Sequence, residues 1–159
     1  MSFDRIVVED VAPVVAGGRH PAKAVVGEHL PIRATVWRDG HPPVTAVVHW
    51  HGPHGKGQVV PMTADAADPD TWHATVVASA AGRWTFRVEA WTDAWLAWRE
   101  AVAAKAAAGQ DAAALANDLE TGARLLDRAA AAVPHAASAA ATLRDASLPL
   151  PDRLAAADA

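Results

Sequence analysis

A chain of 159 residues holds one ordinary domain or two small ones that share an interface. Without cysteine it has neither a disulfide framework nor a thiolate metal site, which points to a reducing, cytoplasmic setting. Fourteen basic and eighteen acidic residues, net −4 and mixed along the chain, exclude an electrostatic footprint for nucleic acid; an acidic start and no apolar run near ~20 residues exclude a signal peptide and a membrane span.

Up to about residue 91 the chain is rich in Val, Thr, Trp, Pro and Gly. It reads as short strands separated by turn signals, starting with RIVVE at 5–9. In LPIRATVW, Leu30, Ile32, Ala34 and Val36 share one face while Arg33, Thr35 and Trp37 take the other. Asp39-Gly40 supplies the positive φ of a tight hairpin, and VTAVVHWH returns with Val44, Ala46, Val48 and Trp50 inward and Thr45, Val47, His49 and His51 outward. GQVVPMT at 57–63, TWHATVVA at 71–78 and GRWTFRVEAW at 82–91 complete the set, and Gly55-Lys56-Gly57 reads as a hairpin tip. Strands at this spacing predict an immunoglobulin-like antiparallel β-sandwich over residues 1–91.

Residues 92–159 are dominated by Ala with Leu, Asp and Arg, and predict a small alanine-rich helical bundle, so the fold class is α+β. A first helix opens at Thr92 or Asp93 and closes near Gly109. Asp111 caps a second, with Leu115, Leu119 and Leu126 at helical spacing around Gly122. Pro134 interrupts the pattern before a third helix over about 135–146, and SLPLP breaks the chain again before DRLAAADA. Alanine buries little area, so these helices need a partner, either the sandwich or another chain.

Few constellations carry chemistry. In HWHGPHG, His49 and His51 share a strand face and His54 follows in the loop, the makings of a three-imidazole metal site. Alternation alone accounts for two polar residues on a solvated face, and no carboxylate is placed to orient the rings, so they read as surface residues and neither metal nor cofactor is expected. VAGGRHP and HGPHGKG lack phosphate-loop spacing and read as turns. Glu89, Asp93 and Glu100 lie close in sequence, but Glu89 sits opposite Trp84, Phe86 and Val88 across its strand, a solvated or interface position. No catalytic residue is assigned.

Trp91, Trp95 and Trp98 fall at i, i+4 and i+7 and form one helical stripe. Such a row can lock a helix against the sandwich, form a subunit interface or stack on a ligand. With Leu115, Leu119 and Leu126 these residues are the interface candidates.

RIVVEDVAPVVAGGRHPAKAVVGE, then ATVWRDGH, then GRWTFRVEAWTDAWLAWRE, occur in an order that resembles the amino-terminal region of bacterial alpha-1,4-glucan:maltose-1-phosphate maltosyltransferases. The resemblance implies a β-sandwich carrying an inserted helical bundle, truncated here, with both parts in homodimer contacts. It places catalysis in a separate alpha-amylase-type barrel, where maltosyl units pass with retention from alpha-maltose 1-phosphate to an alpha-1,4-glucan and phosphate leaves. A barrel of about 250 residues has no room in this chain. The chain is therefore expected to be a non-catalytic accessory and dimerisation module that meets those substrates only through the absent catalytic domain. The alternative is a stand-alone carbohydrate-binding sandwich using Trp37, Trp91, Trp95 or Trp98, and a metal-dependent enzyme built on HWHGPH stands behind both.

Overall fold

Strands come first and helices second in the computed structural model, which describes residues 6–157 other than 41, 54 and 56. The chain divides into two units, Met1–Thr92 and Asp93–Ala159. Arg5 of the first expected strand, His41 of the expected hairpin turn, His54 of the histidine cluster and Lys56 of the expected tip lie outside the described residues.

The first unit contains β1 (Ile6–Ala12), β2 (His29–Arg38), β3 (Val44–His51), β4 (Gly57–Pro61), β5 (Thr63–Ala64), β6 (Thr71–Val77) and β7 (Thr85–Thr92). They form two antiparallel sheets, β1-β2-β6-β5 and β4-β3-β7. The period-two pattern decides which side chains enter the sandwich: Ile32, Ala34 and Val36 of β2 and Ala74 and Val76 of β6 share one core with Ala46, Val48 and Trp50 of β3. Trp84, just ahead of β7, stacks on Trp50 with ring centroids 4.9 Å apart. The Trp50 indole N–H donates to the Val77 carbonyl at 3.1 Å and the Trp84 N–H to the Ala80 carbonyl at 2.9 Å, so neither the buried Trp50 nor the partly buried Trp84 strands a donor.

Two expected strand connections are corrected. The Asp39-Gly40 turn does not close a hairpin: β2 pairs with β1 and β6, whereas β3 pairs with β4 and β7, so this connection carries the chain from one sheet to the other. Gly40 does take a φ of 93°, but Pro42 and Pro43 follow it, and without N–H groups they cannot start a ladder with β2. Residues 57–63 are likewise not one strand. After Pro61 the Met62 N–H still donates to the Ala46 carbonyl at 2.9 Å, and Thr63–Ala64 then pairs with β6 in the opposite sheet. In β1 the register with β2 slips between Glu9 and Ala12, where Asp10 has a φ of 50°, a left-handed position that a short polar side chain tolerates.

The second unit contains α1 (Ala94–Ala107), α2 (Ala116–Ala129), α3 (Ala136–Arg144) and α4 (Leu150–Ala155). The Asp93 carboxylate accepts the Leu96 N–H at 2.8 Å and starts α1, while Gly109, at a φ of 84°, ends it. Trp91 therefore belongs to β7, not to a helical stripe with Trp95 and Trp98; the change of period waits for the Asp93 cap. Asp111 caps a turn ahead of α2 by accepting the Ala114 N–H at 2.8 Å. The helices surround Trp98, Val102, Leu115, Leu119, Ala123, Ala140 and Leu143. No helix among the described residues is long and apolar enough to cross a membrane.

Candidate functional site

The outward face of β4-β3-β7 carries His49 and His51 of HWHGPHG. Because β3 and β7 pair with His49 opposite Arg87 and Val47 opposite Glu89, Glu89 lies one step diagonally from His49. His49 Nε2 is 2.5 Å from Glu89 Oε2, and the Arg87 guanidinium donates to the same oxygen at 3.2 Å. The expectation that no carboxylate orients these rings is thus corrected: the strand pairing brings one from 40 residues away. His51 lies parallel to His49, with ring centroids 6.5 Å apart and planes within 10°. Glu89 is already divided between an imidazole and a guanidinium on an open sheet, which suits a structural clamp between strands. Among the described residues no group of three or more His, Cys, Asp or Glu is placed to hold a metal ion.

Trp91 shares that outward face and is 41% exposed, the most open of the interface candidates. The opposite sheet presents Trp37, partly exposed, whose indole N–H donates to Glu9 Oε1 at 3.1 Å. Further along that face Asp65 lies 3.6 Å from His73, and its carboxyl is held below the usual range first by the N–H groups of Ala67 and Asp68 and then by His73.

The other candidates lie in the helical unit. Leu115, Leu119 and Trp98 are buried there, and Leu126 packs half-buried at the edge of the same core. Trp95 stacks on Trp98 with centroids 4.7 Å apart, and the Trp98 N–H donates to the Asp118 carbonyl at 2.6 Å. Gly122 makes room for that indole: a Cβ there would lie 2.2 Å from Trp98. A groove of about 260 Å³ runs beside α1 and α4, lined by Leu96, Val102 and Leu154 with Arg99 and Glu100 at its rim.

An ion network that the sequence reading did not single out ties α2 to α3. Glu120 accepts from Arg144 and Arg124, both at 2.8 Å, and Arg144 also donates to Asp127 at 2.8 Å. Its visible signal was the i, i+4 spacing of Glu120 and Arg124; Arg144, on the next helix, could not be paired from spacing. Arg144 first and Arg124 second pull the Glu120 carboxyl from 4.5 to about 2. A depressed carboxyl adds stability that is complete above its unfolded value and lost as pH falls through its folded one. Melting temperatures of the parent and Glu120→Gln should therefore differ near neutral pH and converge between about pH 4 and about pH 2. A gap that persists unchanged into acid would refute this role for Glu120. The ends are exposed, so the gap is expected to be modest and to narrow in salt.

Comparison with known proteins bears on the whole chain. The family model for alpha-1,4-glucan:maltose-1-phosphate maltosyltransferase, domain N/S, matches residues 4–159. Maltosyltransferase 2 of Streptomyces coelicolor is 50% identical over 94 residues, which cover 58% of this chain and 14% of that protein. The maltosyltransferase of Mycolicibacterium smegmatis is 46% identical over 117 residues, 56% of this chain and 17% of that protein. That of Rhodospirillum rubrum is 36% identical over 99 residues, 57% and 14% respectively. The chain thus spans less than a fifth of the curated relatives it matches.

Proposed function

The chain belongs to the domain N/S family of the alpha-1,4-glucan:maltose-1-phosphate maltosyltransferases, and from that membership we propose that it is the non-catalytic accessory and dimerisation module of such an enzyme. In this reading the enzyme extends alpha-1,4-glucans from alpha-maltose 1-phosphate with release of phosphate, in the cytoplasm and as a homodimer, and the chemistry belongs to a barrel beyond this module. The match over residues 4–159 to domain N/S carries the reading.

Two features of the sandwich support it. The sheet orders β1-β2-β6-β5 and β4-β3-β7 suit an immunoglobulin-like module, and β7 pairs on one side only among the described residues. Phe86, Val88 and Ala90 of β7 are half-buried, whereas Trp50, Val48 and Ala46 opposite them on β3 are buried. An uncapped strand of this kind invites further pairing.

Purified chain mixed with alpha-maltose 1-phosphate and an alpha-1,4-glucan is expected to release no phosphate, and light scattering of the same sample should show a dimer. Phosphate release above the blank would overturn the accessory role, and a monodisperse monomer over a wide concentration range would overturn the dimerisation role. A stand-alone carbohydrate-binding module is the second reading. With Trp98 buried and Trp95 stacked on it, the exposed Trp91 and the partly exposed Trp37 are the candidate rings left to serve it.

A further inference from the structure

The outward face of the β1-β2-β6-β5 sheet carries one indole among polar and charged groups. The register sets them in rows. Trp37 stands beside Val7 at one end. Glu9, Thr35 and Thr71 lie side by side in the next row. Arg33, His73 and Thr63 make the row after that, with Asp65 paired to His73. At two residues per row, Trp37 and Arg33 are about 13 Å apart along β2.

From this ordering we propose that this face is a glucan-binding platform, with the Trp37 indole stacking on a sugar ring and Glu9, Thr35 and Arg33 hydrogen-bonding the hydroxyls of the residues that follow. The proposal takes its ligand class from the function proposed above and its location from the sheet. The bond from the Trp37 N–H to Glu9 Oε1 draws the indole toward β1 on the outward side of the sheet, where the residue stays partly exposed. That bond uses one carboxylate oxygen. Glu9 Oε2, the Thr35 hydroxyl and the Arg33 guanidinium have no hydrogen-bond partner among the described residues. An aromatic face flanked by free acceptors and donors is complementary to a pyranose, which offers apolar C–H groups on one side and hydroxyls around its rim.

Charge selects against the competing stackers. Glu9 and Arg33 carry opposite signs and Asp65 faces His73, so the platform is close to balanced and favours an uncharged polyol. A nucleic acid would set its phosphates against Glu9 on a chain of net charge −4. The face containing Trp91 suits sugar less well, because Glu89 is occupied by His49 and Arg87 and the adjoining positions are Val47, Val59 and Pro61.

The probe is maltoheptaose, titrated into the chain by calorimetry and by saturation-transfer NMR, neither of which is confused by seven tryptophans. Saturable millimolar binding is expected, weakened about tenfold or more by Trp37→Ala and unchanged by Trp91→Ala. Glu9→Gln keeps the ring and should weaken binding severalfold, which covers the case in which Trp37→Ala perturbs the fold. Absence of binding at tens of millimolar maltoheptaose by chain with a folded circular dichroism spectrum would overturn the proposal. So would equal affinity in the parent, Trp37→Ala and Glu9→Gln. Neither result touches the accessory role, which is read from phosphate release.

Discussion

Gly122→Ala should destabilise the helical unit by about 3 kcal/mol, although the same change on an exposed helix surface stabilises by up to about 1 kcal/mol. The reason is the Trp98 indole, which occupies the space of the missing side chain: an added Cβ would meet its Cζ2 and Cε2 at 2.2 and 2.4 Å. Neither partner has a cheap escape. Trp98 is anchored by its N–H on the Asp118 carbonyl and by its stack on Trp95, and Gly122 is buried inside α2. The measurement is urea unfolding followed by far-UV circular dichroism, in a double-mutant cycle with Trp98→Ala. Trp98→Ala alone should cost about 3–5 kcal/mol, and in its presence Gly122→Ala should become neutral or favourable. A Gly122→Ala penalty that is the same with and without Trp98 would mean that the two do not meet.

The sandwich has a corresponding pivot in Trp50. Trp50→Ala is expected to cost about 4 kcal/mol, a large part of the stability of a small unit. Three contributions add: the volume lost from a ring that is 4% exposed, the stack on Trp84, and the Val77 carbonyl left without its donor. Gly52 belongs to the same cluster, since a Cβ there would lie 2.7 Å from the Trp84 ring. Trp91→Ala is the matched control, because its ring lies on the outward face and its loss should cost about 1 kcal/mol or less. Comparable midpoints for Trp50→Ala and Trp91→Ala would refute this division between a core ring and a surface ring.

Much of this was legible one residue at a time. Alternation in LPIRATVW and VTAVVHWH sorted Ile32, Ala34, Val36, Val48 and Trp50 to the inside and the histidines to the outside, because a strand's side-chain period is a local property. Asp93 and Gly109 bounded the first helix for the same reason: caps act within one turn. The errors arose where the chain had to choose a partner. A turn dipeptide reports that the chain reverses but not whether the next strand joins the same sheet, so Asp39-Gly40 reads as a hairpin although it links two sheets. Trp91 fits a helical stripe by its spacing from Trp95 and Trp98, but spacing does not register that β3 holds residues up to Thr92 in a ladder.

The candidate sites divide along the same line. By itself the sequence determined the absence of cysteine chemistry, the α+β class, the family resemblance and the inward positions of both strand and helix, all consequences of composition or of local periodicity. Only the tertiary structure set Glu89 against His49 across two strands, Glu120 against Arg144 across two helices, Trp37 in one face with Glu9, Thr35 and Arg33, and Trp98 on the bare backbone of Gly122. The physical reason is that each of these contacts depends on a register or a helix packing, quantities fixed by the fit of two buried surfaces and written in neither segment alone.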